Sequence, residues 1–520
     1  MQSVMDHNFS TTPPSQLPRS SFDRSFGYKT TFDAGYLVPV FCDEALPGDT
    51  FSVNPNMFAR LNTPIAPIMD NMFLDIQFFS VPIRQIWDNF RKFTGERVNP
   101  DDSTDYLVPI MTGPAGGYAN ETLQDYLGIP TGVPSVEHSA LFTRAYNHIY
   151  NEWYRDQNLI DSVVVDTDDG PDAVADYSLL RRGKRHDYFT SALPWLQKGD
   201  SVELPLGTRA DVTVDSATGV DLGIYSTNAS GYRTMVASTA YLQRGGITTS
   251  SSDALYADLS TATAATINEF RQALQIQTLL EKDARAGTRY AEIVKAHFGV
   301  DFQDVTYRPE FLGGTSTTIN MDSVPQTSET GTTPQGNLAA FGTAGLSGGG
   351  FTKSFNEHCI VIGIASVRAD LTYQQGLNRM FSRSTRYDYY WPALAHLGEQ
   401  AVFNKEIYIQ DPAIDTGATG TPDNDKIFGY QERWAEYRYK PSLITGKMRS
   451  NDANSLDLWH LSQEFGSLPA LNQAFIEENP PIDRIVAVPT EPHFQLDCYF
   501  KMTCARPMPL YSVPGLTDRF

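Results

Sequence analysis

The 520-residue chain reads as a mainly β protein: a jelly roll or similar Greek-key sandwich with long excursions. Three observations predict this. Aromatic residues make up 12% of the chain, with 26 Tyr and 29 Phe, and aromatic side chains suit half-buried pleated surfaces. The 38 Gly and 32 Pro supply many turns. Strand-like segments occur near both ends, so early and late strands must pair across the whole middle of the chain. That describes one sandwich with insertions, not serial domains.

Taken in order, residues 1–30 are expected to form an extended N-terminal arm. The first twenty are rich in Ser, Thr, Pro and Gln and carry no Lys/Arg cluster. Residues 36–54 (YLVPVFCDEALPGDTFSVN) read as strand, Pro-Gly turn, strand. Residues 72–81 (MFLDIQFFSV) form a strand buried at least on its Leu74, Ile76, Phe78 side, and Pro82 closes it. Ile83 to Phe93 has Ile83, Ile86, Trp87 and Phe90 at helical spacing. Ser139 to Gln157 is the first long helix; its Phe142, Tyr146, Ile149, Trp153 stripe marks core or subunit contact.

From 161 to 260 the composition shifts to Asp, Ser, Thr, Gly and Val, with β-like runs at Ser201–Leu206, Ala210–Val214 and Tyr232–Tyr241. This reads as an insertion subdomain, and a long insertion of this kind usually carries function. The capping box Thr266 to Glu269 opens a helix with an Ile267, Phe270, Leu274 stripe. It should run to about Ala286 and stop at Gly287, and a second helix should span Thr288–Phe298 before Gly299. Residues 313–351 are Gly/Ser/Thr-rich and read as a long loop. Strands return at Cys359–Leu371, Val402–Ile409, Glu432–Tyr439, Ile482–Val488 and Phe494–Cys504. The segment 506–520 (RPMPLYSVPGLTDRF) is apolar and stiffened by three prolines, so it should be an extended C-terminal arm tied down against its own core or a neighbouring copy.

The net charge of −21 argues against a general nucleic-acid binder. Four cysteines (Cys42, Cys359, Cys498, Cys504) form no CxxC pair and no disulfide framework; they read as buried thiols of a reducing compartment. Residues 1–30 hold no signal-peptide pattern, and no apolar run is long enough to span a membrane, so the protein should fold in a cytoplasm without membrane insertion. Catalytic signals are poor. Gly345 to Gly349 matches G-x-S-x-G formally, without the strand-to-helix context that a nucleophile elbow needs. Glu357-His358-Cys359 is too compact to be a metal site. Asp166 to Gly170 resembles the front of an EF-hand loop, but its Gly comes early and the closing Glu is missing, so a solvated acidic loop is expected. No cofactor and no metal are expected, and nothing positions a pair of catalytic carboxylates.

Two basic patches stand out. Arg181-Arg182-Gly-Lys184-Arg185-His186 reads as a solvated loop or a local ion-pair partner. Arg379, Arg383 and Arg386 lie among Phe381, Tyr387, Tyr389, Tyr390 and Trp391. Arginine interleaved with aromatics suits single-stranded DNA, because bases stack on rings while phosphates need cations. Arg379, Arg383, Arg386, Tyr387 and Trp391 are therefore the candidate DNA contacts. The plainer alternative puts the rings in the core and the arginines at an interface.

Several blocks carry a resemblance. Gly35 to Phe90 (GYLVPVFCDEALPGDTFSVNPNMFARL through SVPIRQIWDNF), Asn268 to Val300 (NEFRQALQIQTLLEKDARAGTRYAEIVKAHFGV), Arg308 to Gly314 (RPEFLGG) and Pro509 to Phe520 (PLYSVPGLTDRF) resemble, in order, microvirus major capsid proteins, nearest to the gokushovirus subgroup. The resemblance implies an eight-stranded viral jelly roll with large insertions and no enzyme activity. It implies sixty copies in a T=1 icosahedral shell around circular single-stranded DNA. An internal scaffolding protein, a DNA pilot protein and a bacterial cell-surface receptor are the partners expected on this reading; because the chain is acidic and residues 1–30 offer no basic arm, a separate small basic DNA-binding protein and cations are expected to neutralise the genome. The 161–260 insertion would form protrusions at the threefold axes for host attachment. The C-terminal arm would reach between subunits through Leu510, Tyr511, Leu516 and Phe520. A β-sandwich carbohydrate-binding protein or glycoside hydrolase is the alternative reading. A tail or spike adhesin would show repeats or a coiled coil, and neither is found.

Overall fold

The structure is a computed structural model. It describes residues 18–202, 267–301, 306–411, 415 and 422–511, together with five short strands between residues 203 and 266. Eleven strands build the two large sheets of the main body: β1 (Ser20–Asp23), β2 (Phe26–Phe32), β3 (Val38–Ala45), β4 (Thr50–Leu61), β5 (Met72–Pro82), β6 (Glu310–Thr318), β7 (Asn320–Pro325), β8 (Leu338–Ser347), β9 (Phe351–Ser354), β10 (Cys359–Ala369) and β11 (Phe494–Arg506).

Strands β4 and β11 set the first sheet. Phe51, Val53, Met57, Ala59 and Leu61 alternate with polar residues on β4, and Phe494, Leu496, Cys498, Phe500, Met502 and Cys504 do so on β11. A period of two turns these residues to one buried face, while Phe58 and Tyr499 stand exposed on the other. The strands pair antiparallel from Leu61↔Phe494 to Thr50↔Ala505. Sheet order is β1-β11-β4-β8-β7; β2 shares the β11 edge with β1, and β9 shares the β4 edge with β8. Gly350 lets β9 follow β8 along β4: a Cβ there would stand 1.8 Å from the Val53 carbonyl oxygen.

The second sheet runs β6-β5-β10-β3. The two sheets meet through rings. Phe41 of β3 lies 5.8 Å from Phe78 of β5 and 5.3 Å from Phe500 of β11. Strands β5 and β10 are apolar nearly throughout because both their faces are covered. A second core on the far side joins Phe79, Val81, Ile360, Ile362 and Ile364 to Trp87 and to Tyr146 and Ile149 of helix α1 (Leu141–Ile149). That helix is held from within. Arg144, wholly buried, pairs with buried Asp172 at 2.5 Å and donates to the Ile86 carbonyl at 3.1 Å. The mainly-β sandwich with insertions thus matches the sequence reading.

Several expectations need correction. Residues 20–32 are not a free arm: β1 and β2 both add to the edge of β11, where Phe26 and Phe32 pack against Phe500 and Phe494. Residues 1–17 lie outside the described residues. The 313–351 "loop" is mostly β6, β7, β8 and β9; its small residues pass close to neighbouring backbone, as where a Gly314 Cβ would stand 2.5 Å from the Ile76 carbonyl oxygen. The helix expected over Ile83–Phe93 breaks into two single turns, Ile83–Gln85 and Phe90–Phe93. Asp88 and Asn89, poor helix-interior residues, lie between them, and Trp87 turns inward to donate to Asp169 at 2.7 Å. Val402–Ile409 and Glu432–Tyr439 each leave the strand for a helical turn, Asn404–Ile407 and Ala435–Arg438. Ile482–Val488 is no strand: it opens with a helical turn, Ile482–Arg484, and plugs the main core with Ile482, Ile485 and Val486.

The acidic loop at Asp166–Gly170 is not merely solvated. Asp168 and Asp169 accept from Arg144, Trp87 and Asn89. Arg181 and Arg182 are likewise ion-pair and carbonyl partners, with Arg182 2.6 Å from Asp75. The chain divides into two compact units, the second being Gln197–Gly287 with Ala296–Phe298. Residues 161–196, placed in the insertion by composition, belong to the main body, which buries Tyr177, Tyr188 and Phe189. The second unit holds a three-stranded sheet (Gly223–Ser226, Gly231–Ala237, Leu242–Arg244), a strand pair (Val212–Val214, Leu255–Ala257) and helix α2 (Ile267–Ala286). The run Ser201–Leu206 lies almost wholly outside the described residues. On α2 the Ile267, Phe270, Leu274 stripe is exposed.

Candidate nucleic-acid interface

Residues 379–397 are built from three single helical turns, each fixed by its own sequence. The Asn378 side chain accepts from Met380 N–H to open Arg379–Phe381. Thr385 and Asp388 cap Arg386–Asp388, and Pro392 stands at the first position of Pro392–Leu394. Hydrogen bonds to Asp388 from the backbone of Thr385 and Ser384 hold its carboxyl down at about 2. Beneath lies a third core of Tyr188, Phe189, Val402, Ile407, Phe428 and Phe475.

The segment exposes its rings and turns part of its charge inward. Phe381, Tyr387, Tyr389, Tyr390 and Trp391 are all exposed, Tyr387 at 68% and Trp391 at 43%. Arg379 donates to the Ala401 carbonyl at 2.6 Å and pairs with buried Glu406 at 3.0 Å. Burial opposes its charge, but Glu406, Tyr188 and Glu436 outweigh that and hold the guanidinium above its ordinary pKa. Burial pushes the Glu406 carboxyl up, against the pull of Arg379. Arg383 reaches Glu436 at 3.4 Å and stacks over Tyr437 at 4.3 Å. Arg386 stacks over Trp391 at 4.9 Å and is exposed. Of the candidate contacts, Arg386, Tyr387 and Trp391 are therefore presented to solvent, whereas Arg379 is committed to internal partners.

The sequence reading missed the other wall. Arg433, Trp434 and Tyr437 close on the same segment, with Tyr390 5.6 Å from Trp434 and 6.3 Å from Tyr437. Arg433-Trp434 and Tyr437-Arg438-Tyr439 repeat the Arg/aromatic composition of 379–391, but reading 432–439 as a strand hid that. A larger, more open depression of about 780 Å³ on the outer face of the first sheet mixes Lys29 and Arg60 with Glu121, Asp125 and Asp497 and gathers no excess of cations.

Of the arm residues, Leu510 and Tyr511 are exposed at 57% and 78%, while Leu516 and Phe520 lie outside the described residues. The arm's root is fixed: Arg506 pairs with fully buried Asp49 at 3.0 Å and donates to the Glu44 carbonyl at 2.7 Å. The four cysteines are free thiols, and burial pushes Cys498 up to about 12. Ser347 of the G-x-S-x-G match donates to Asn56 at 2.6 Å on the open sheet face. Among the described residues no cluster of His, Cys, Asp and Glu could hold a metal ion, and no helix is long and apolar enough to cross a membrane.

A sequence model described as "Capsid protein (F protein)" matches residues 10–516. The chain belongs to the F capsid protein family. Capsid protein VP1 of Bdellovibrio phage phiMH2K is 48% identical over 99% of this chain and 98% of its own length. Capsid protein VP1 of Chlamydia phage 1 is 45% identical over 99% and 98%, and that of Spiroplasma virus 4 is 36% identical over 98% and 97%. The microvirus resemblance of the sequence is thereby borne out, and this F-family chain is a structural phage capsid protein and a virion component. The family is structural, which removes the glycoside-hydrolase alternative.

Proposed function

We propose that this chain self-assembles, in sixty copies, into a T=1 icosahedral shell enclosing circular single-stranded DNA. The observation that carries the reading is apolar surface an isolated copy leaves in water: the ring cluster at Tyr387–Trp391 and the arm residues Leu510 and Tyr511. Neighbouring copies would cover the arm, with Leu516 and Phe520 continuing it. Arg383, Arg386, Tyr387 and Trp391 would meet the genome, with Arg379 supporting them from within.

The net charge of −21 leaves little for genome neutralisation, so a separate small basic protein and cations supply it. An internal scaffolding protein and a DNA pilot protein would join during assembly in the bacterial cytoplasm. The insertion, whose compact part is Gln197–Gly287, would form the threefold protrusion that meets the bacterial cell-surface receptor. Purified chain examined by negative-stain microscopy should give uniform sixty-subunit particles; a monomer at all concentrations sinks the shell reading. Deleting most of the insertion should leave particles intact and abolish attachment to host cells.

A further inference from the structure

The second wall of the aromatic segment encloses a cleft of about 110 Å³ lined by Ser382, Arg383, Asp388, Arg433 and Glu436, among others. Its carboxylates are already engaged. Asp388 accepts from Ser384 N–H and from the N–H and hydroxyl of Thr385. Glu436 accepts from Gln400 at 2.7 Å. Glu406, deeper in, accepts from Arg379 and from Tyr188 at 2.9 Å. Lys405 is taken by Asp425 at 2.7 Å.

The cationic side is less well matched. The Arg433 guanidinium has no hydrogen-bond or ion-pair partner among the described residues; its one described contact lies over the Trp434 ring, 4.4 Å away. Its Nε, the Arg383 Nε and the Ser382 hydroxyl are all buried and unpartnered. Buried polar groups are costly to leave without a partner. Trp434 sits at φ 70°, a left-handed conformation that bulky residues rarely adopt. It is fixed by Gln400, which accepts from Trp434 N–H at 3.1 Å, and by its indole donating to the Leu394 carbonyl at 2.9 Å.

We infer that this cleft is a binding site for one phosphate group, clamped by Arg433 and Arg383 with the Ser382 hydroxyl, while the exposed rings of Tyr387 and Trp391 outside it take the attached base. The volume suits a single tetrahedral anion, and two guanidinium forks match its geometry. The inference rests on reading the aromatic segment as the DNA contact and adds what that reading lacks, a place for the backbone charge.

The test is binding of a fluorescent deoxythymidylate oligomer to the full-length chain, titrated at several salt concentrations, with inorganic phosphate as competitor. Arg433→Gln should weaken binding about five- to tenfold and reduce the salt slope by about one. Arg433→Lys should keep the slope with a smaller loss, and phosphate should compete with the wild type more strongly than with Arg433→Gln. Unchanged affinity and slope in Arg433→Gln overturn the site. Trp391→Ala separates the two ideas. If it weakens binding while Arg433→Gln does not, the ring surface holds DNA and the cleft does not hold phosphate. If neither changes binding, the DNA reading of the segment fails as well.

Discussion

At the scale of single residues, burial decides what each charge can tolerate. Arg144 and Asp172 are both out of water and depend on each other. Arg144→Ala should destabilise the unassembled chain by about 3–5 kcal/mol, because it strands a buried carboxylate. Urea denaturation would measure this, and Arg144→Met with Asp172→Leu should recover most of the loss. His148 is the opposite case. Burial pulls it down to about 4, against a raising contribution from the Tyr307 carbonyl, 2.9 Å from its Nε2. As pH falls, the unfolded chain takes up this proton first, at its ordinary 6.5. The neutral ring's contribution is therefore complete above pH 6.5 and is lost between there and about 4, roughly 3 kcal/mol in all. His148→Gln should flatten the fall in stability across that window; an unchanged slope would assign the acid sensitivity to other groups.

At the scale of elements, legibility followed pattern length. Strand β11 was readable because Phe494 to Cys504 alternates without a break, and β10 because it is an apolar run too short and too β-branched for a helix; of β4 only the start, to Asn54, was read, although its alternation runs on to Leu61. Helices α1 and α2 were readable from their stripes. What failed was context. Ile482–Val488 has a strand's composition yet plugs the sandwich, and the glycines of 313–351 read as loop although their lack of a side chain is what admits neighbouring strands. The aromatic segment was legible as chemistry but not as geometry: its two walls are some forty residues apart, and nothing local says that Glu406 and Glu436 meet Arg379 and Arg383. One substitution tests the role of glycine in the sheet. Gly350→Ala drives a methyl into the Val53 carbonyl and should cost at least about 2 kcal/mol. Gly345→Ala, with nothing within 4 Å of the added carbon, should be nearly silent in the same melting assay.

At the scale of the whole molecule, the C-terminal arm is fixed at Arg506 and leaves its core by Leu510. Removing Leu516–Phe520 should lower particle yield at matched concentration while the melting temperature of the unassembled chain stays put. Normal particles from the truncated chain would remove the arm's role in contact between copies. The placement of β11 has a further consequence, in time. It fills the gap between β4 and the β1/β2 edge, yet Leu61 must wait for Phe494. At roughly 5–20 residues per second, a ribosome leaves that slot vacant for something like half a minute. Throughout that interval β4 offers an unpaired edge to any other nascent chain on the same polysome. A ribosome stalled before residue 494 should therefore hold a chaperone-bound chain, and one released after residue 506 should not.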